Sequence, residues 1–118
     1  MGSINVAVVG LRLKGAVLLE RLIRIGDPEM HIVCAVEPED VPGRRRADAC
    51  GIALVSLDDL VEFSADIDVI FDLRDTEGWD ITLGLKLAAQ GNHHTHVLTH
   101  QSLDLMNAWA SHSLPQAA

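Results

Sequence analysis

Residues 8–15 read Val-Val-Gly-Leu-Arg-Leu-Lys-Gly. They follow a β-branched apolar run and precede apolar residues at helical spacing, so they describe a strand, a tight turn and the start of a helix. Such a turn can do chemistry because a helix N-terminus offers N–H groups and a positive dipole end to an anion. Gly10 stands where a phosphate-cradling turn needs freedom to bend, and Gly15 where helix and strand must pack closely. Between them, where a further glycine would let a pyrophosphate touch the backbone, stands Arg12. Gly10, Leu11, Arg12, Leu13, Lys14 and Gly15 are the first candidate site. Arg12 either swings out to clamp a phosphate, helped by Lys14, or fills the site and closes it. A purely structural turn is the third reading, and a dinucleotide or a smaller phosphate the candidate ligand.

Three further groups carry candidate chemistry. Glu37 follows the second apolar run. An acid there bonds ribose hydroxyls and favours NAD over NADP, whereas the nearby Arg44, Arg45 and Arg46 suit a 2′-phosphate. The competing reading is an exposed acid before Pro38. Asp72, Arg74, Asp75 and Thr76 follow the fourth run. They suit either a polar ligand or the cap of the next helix. His93, His94, His96 and His100 crowd one segment. At a strand's period of two, His94, His96 and His100 share a side, which suggests a divalent metal site. No cysteine or carboxylate completes it, so solvent-facing histidines are expected and no metal site is assigned.

These groups must be positioned by alternating elements. Residues 4–9, 31–36, 53–55, 68–73 and 95–99 read as strands. Residues 14–25, 44–50, 56–63, 81–90 and 102–110 read as helices, with Glu20 and Arg24 paired at i,i+4 and Ser56 as an N-cap. Gly26-Asp27-Pro28, Gly51 and Gly91-Asn92 mark stops. Strict alternation predicts a three-layer α/β/α domain with a five-stranded parallel sheet in the order 3-2-1-4-5. Ligands then belong at the carboxyl ends of the first and fourth strands. The domain is expected over residues 1–113, with a tail at 114–118.

Composition narrows the partners. The 118 residues carry a formal net charge of −8 and are 48% hydrophobic. That suits one packed domain and argues against nucleic acid or an anionic membrane as a partner. The absence of tyrosine and the four Phe and Trp residues imply an aliphatic core. Cys34 and Cys50 match no metal spacing and are expected as buried thiols in the cytoplasm. No apolar run approaches the ~20 residues of a membrane span. Leu105, Met106 and Trp109 in the last helix suggest a homodimer surface.

The order of elements, with Gly10, Gly15 and Glu37 at their places, resembles the NAD(P)-binding Rossmann domain. The stretch CGIALVSLDDLVEFSADIDVIFDL narrows the likeness. It resembles the N-terminal domain of the glucose-fructose oxidoreductase and inositol dehydrogenase type, and of acylating aldehyde and aspartate dehydrogenases. It also looks like Rossmann-like domains at the front of bacterial sensor kinases. The resemblance implies NAD or NADP as cofactor. Where the first type carries Glu-Lys-Pro after the fifth strand, this chain has Thr99-His100-Gln101, so the resemblance implies no catalysis by this chain alone. Three expectations stay open: a non-catalytic nucleotide-binding sensory module of a signalling protein, the cofactor domain of an NAD(P)-dependent oxidoreductase, and a dimerising relic that binds nothing.

Overall fold

A computed structural model of the chain describes residues 4–26, 28–74, 79–99 and 101, apart from the side chains of residues 79–82. Five strands form one sheet in the order β3-β2-β1-β4-β5, with every neighbouring pair parallel. They are β1 (Ile4–Val9), β2 (Met30–Val36), β3 (Ala53–Leu54), β4 (Val69–Asp72) and β5 (His96–Thr99). The intervening helices are α1 (Leu13–Ile25), α2 (Pro42–Ala49), α3 (Leu57–Glu62) and α4 (Trp79–Ala89). A 3-10 turn, Ser64–Asp66, precedes β4.

The central strand shows why three layers form. Side chains alternate across a strand, and in β1 both sets are apolar. Val6 and Val8 face a core closed by Leu19 and Leu22 of α1 and Ala47 of α2. Ala7 and Val9 face the opposite core, closed by Leu60 and Val61 of α3 and Leu83 and Leu87 of α4. A sheet apolar on both faces needs helices on both, and parallel connections supply them. The pairing of β1 with β2 slips by one residue at Val33, between Val6↔Ile32 and Ala7↔Cys34.

Local chemistry bounds α1, α3 and α4 at positions the sequence signals. Gly26 adopts φ +56° and donates its N–H to the Leu22 carbonyl at 3.2 Å. Gly91 adopts φ +78° past α4. The Ser56 hydroxyl accepts the Asp59 N–H at 3.1 Å, the expected N-cap. Several boundaries differ from the sequence reading. Helix α2 begins at Pro42, because proline suits the first helical position, and β3 keeps two residues. Strand β5 begins at His96.

Cys34 is buried as expected, but Cys50 is exposed. It is the C-cap of α2, beyond Ala47, the last buried residue of that helix. Asp75, Thr76, His100, the helix at 102–110 with Leu105, Met106 and Trp109, and the tail at 114–118 lie outside the described residues. Among the described residues no helix is long and apolar enough to cross a membrane.

Candidate functional site

The turn after β1 is built by two close approaches. Gly10 holds φ +88° and donates its N–H to the Val36 carbonyl at 2.8 Å, tying the ends of β1 and β2 together. A Cβ on Gly10 would lie 3.0 Å from the Arg74 nitrogen. A Cβ on Gly15 would lie 1.6 Å from the Gly10 carbonyl oxygen, so α1 can start here only with glycine at that position. Both glycines therefore have the geometric roles their spacing implies. Leu11 is fully buried, whereas Leu13 and Lys14 are exposed.

A third close approach escaped the sequence reading. A Cβ on Gly43 would lie 2.2 Å from the Leu11 carbonyl oxygen, so the start of α2 also rests on this turn. The Pro42-Gly43 pair carried the signal, since proline marks a first helical turn as readily as a loop.

Arg12 is the N-cap of α1, with an extended backbone at φ −80° and ψ −163°. Its guanidinium pairs with the Glu39 carboxylate in the loop after β2, and both side chains are more than half exposed.

Glu37 is not the exposed acid that one reading of its position allowed. It is 5% exposed. Its Oε1 accepts the Leu11 N–H at 2.9 Å and its Oε2 accepts the Glu39 N–H at 3.1 Å. The sequence shows an acid before proline, and only packing reveals that the first turn folds over it.

The three arginines of α2 disperse. Arg44 donates to the Glu37 carbonyl oxygen. Arg45 pairs with Asp40 at 2.9 Å. Arg46 pairs with Glu20 at 2.9 Å, while Arg24 reaches the same carboxylate at 3.6 Å. The hydrogen bond from Arg46 holds the Glu20 carboxyl below its usual value.

On the other side of β1, Asp72 ends β4 buried, and Arg74 grips it through Nε at 2.8 Å and Nη2 at 2.7 Å. Arg74 is itself largely buried, at 18% exposure of its side chain.

These residues surround a cleft of about 890 Å³ at the carboxyl ends of β1, β2 and β4. Gly10, Arg12, Glu37, Glu39 and Arg74 line it, and Ser56 at the start of α3 closes the far side. The sequence marked Ser56 only as an N-cap, and neither it nor Leu54, Val55 and Leu57 beside it was a candidate site residue. The wall combines carboxylates, guanidiniums, a hydroxyl and an apolar flank, a set suited to a polar ligand with one flat or apolar part.

Among the described residues, His93, His94 and His96 stand apart from this cleft. His93, His94 and His96 are exposed, and His94 Nε2 lies 2.8 Å from the Ala65 carbonyl oxygen. Strand β5 starts at His96, so His94 lies outside the strand register that would align it with His96. Among the described residues no three His, Cys, Asp or Glu side chains are grouped to hold a metal.

Solved structures share this architecture. GenD2 from gentamicin A biosynthesis, in complex with NAD, superposes with a TM-score of 0.62 at 21% identity, covering 84% of this chain and 27% of that one. The chain has the Rossmann fold. A homoserine dehydrogenase from Thiobacillus denitrificans matches this Rossmann domain with a TM-score of 0.59 at 25% identity, over 84% of this chain and 23% of that one. Scyllo-inositol dehydrogenase from Lactobacillus casei, with bound NAD(H) and scyllo-inositol, matches with a TM-score of 0.56 at 22% identity, over 82% and 27%. The chain thus spans only about a quarter of the length of these structures. No protein-family profile and no curated protein matches the sequence.

Proposed function

We propose that this Rossmann domain is a nucleotide-binding module that takes an NAD(H)-type dinucleotide in the cleft at the carboxyl ends of β1, β2 and β4. The observation that carries this reading is Glu37. A carboxylate has about four acceptor positions, and backbone N–H groups of Leu11 and Glu39 use two of them. That fixes the acid at the end of β2 and leaves capacity for two ribose hydroxyls. The pyrophosphate would then lie on the turn from Gly10 to Gly15, against the N-terminus of α1. Two of the structures that share the fold hold NAD or NAD(H), which supports the assignment.

NAD(H) is favoured over NADP(H). A 2′-phosphate placed where the ribose hydroxyls would meet Glu37 sets a second negative charge against a buried carboxylate.

The role we assign is sensing or regulation by binding, without turnover by this chain alone. Its support is the sequence after β5, where Thr99-His100-Gln101 stands in place of the Glu-Lys-Pro of the oxidoreductases the sequence resembles. A second reading, the cofactor domain of an NAD(P)-dependent oxidoreductase, is favoured by the dehydrogenases that share its fold. Both readings use the same cleft.

Isothermal titration with NAD, NADH, NADP and NADPH tests the assignment. Saturable binding of NAD or NADH, with NADP and NADPH weaker, is expected. Silence toward all four at millimolar concentration overturns it.

A further inference from the structure

We infer that Arg12 is a phosphate-reading arginine held by Glu39, and that a diphosphate takes it from Glu39 on binding. This deepens the proposed function, since it concerns how the same cleft selects its ligand, and it rests on that reading for the position of the diphosphate.

The argument starts from where the two side chains are rooted. Arg12 is the N-cap of α1, so its side chain leaves the chain beside the N–H groups that would receive an anion. Glu39 is rooted differently. Its own N–H is bound to Glu37 Oε2 at 3.1 Å, which fixes its backbone to the buried acid and leaves the side chain to reach Arg12. Both partners line the cleft.

The pair is easily exchanged. The Arg12 side chain is 56% exposed and the Glu39 side chain 59%, so water screens both charges and their net attraction is small. A diphosphate offers the same planar guanidinium a two-point contact and at the same time takes up the helix N-terminal N–H groups, which Glu39 does not do. Displacement therefore costs little and adds a charge-assisted contact. Arg74 contrasts with this. It is largely buried and bound at two points to a buried carboxylate, so it stays with Asp72 as a fixed wall. Arg44, the third guanidinium lining the cleft, is half-buried and donates to the Glu37 carbonyl oxygen, so of the three Arg12 is the exchangeable one.

The consequence is a selection rule. Ligands carrying a diphosphate gain from Arg12 after competing with Glu39, and the same nucleoside without phosphate is indifferent to both residues. Removing the competitor strengthens diphosphate binding, and removing Arg12 weakens it whether or not Glu39 is present.

The experiment is calorimetric titration of the full chain and of Glu39→Gln, Arg12→Gln and the double variant with NAD, ADP, inorganic pyrophosphate and adenosine at low salt. Thermal melts check that each variant is folded. Glu39→Gln is expected to bind NAD and ADP about fivefold more tightly. Arg12→Gln is expected to bind them roughly tenfold more weakly, the double variant is expected to match Arg12→Gln, and adenosine is expected not to change. Equal NAD binding by all four proteins keeps the nucleotide reading and overturns the exchange. Tighter binding by Arg12→Gln overturns it too, since Arg12 then obstructs the site. Binding of ADP and pyrophosphate with the expected pattern, but not of NAD, sustains the exchange and overturns the dinucleotide assignment. Silence of every protein toward every probe overturns both.

Discussion

Glu37 Oε1 accepts the Leu11 N–H at 2.9 Å, so the buried acid at the end of β2 holds the turn that follows β1. Glu37→Ala strands the buried N–H of Leu11, whereas water can reach the N–H of Glu39, a part-exposed donor. Leaving a buried donor unpaired costs about 1–3 kcal/mol, so the variant is expected to lose stability in that range in urea denaturation. Glu37→Gln retains one acceptor and is expected to lose less. Both losses fall to near zero if the acid is a mere surface charge.

The 1.6 Å approach of a Gly15 Cβ to the Gly10 carbonyl oxygen sets a second expectation. Gly15→Ala has to push α1 off the turn, and a loss of about 3 kcal/mol or more is expected, as for other overpacked sites. Gly84→Ala is the control. It is also helical, nothing lies within 4 Å of its Cβ, and it is expected to stabilise α4 by up to about 1 kcal/mol. Melting temperatures of the two variants should move in opposite directions.

Arg74 and Asp72 form a two-point pair whose carboxylate is buried and whose guanidinium borders the cleft. Arg74→Ala takes two charge-assisted hydrogen bonds from Asp72 beside the open cleft and is expected to cost about 1.5–3 kcal/mol. Replacing both, as Arg74→Met with Asp72→Asn, is expected to recover much of the loss. A double-mutant cycle measures the recovery, and additive losses would show that the two side chains act separately.

Burial pushes the Cys34 thiol from 9.0 up to about 11. The folded chain keeps the thiol proton through a range in which the unfolded chain releases it. Below 9.0 both states are protonated and the contribution of the neutral thiol is full. As pH rises from 9.0 toward about 11, unfolding releases a proton and stability falls. The sequence contains no tyrosine, so this slope is not hidden beneath phenol titration. Urea midpoints measured across this range are expected to fall more steeply for the wild type than for Cys34→Ala. Thiol labelling is expected to reach exposed Cys50 in the native protein and Cys34 only after unfolding.

Much of this molecule was determined by local sequence. The alternation of β-branched runs with helical spacing specified five parallel strands in the observed order, because each pattern can bury its apolar side in only one kind of layer. Gly10 and Gly91 marked their turns through a positive φ, Gly15 through its contact with Gly10 and Ser56 through its hydroxyl, all within a few residues. What tertiary structure decided were relationships between residues far apart in the chain. Glu37 became a buried acceptor because the Leu11 turn closes over it. Arg12 found Glu39, Arg46 found Glu20, and Gly43 came to rest on Leu11, each across tens of residues. A long charged side chain reaches several partners from one Cα, and sequence spacing does not choose among them. The folded sheet does, by bringing the ends of β1, β2 and β4 together so that Arg12 meets Glu39 across the turn and Arg74 meets Asp72.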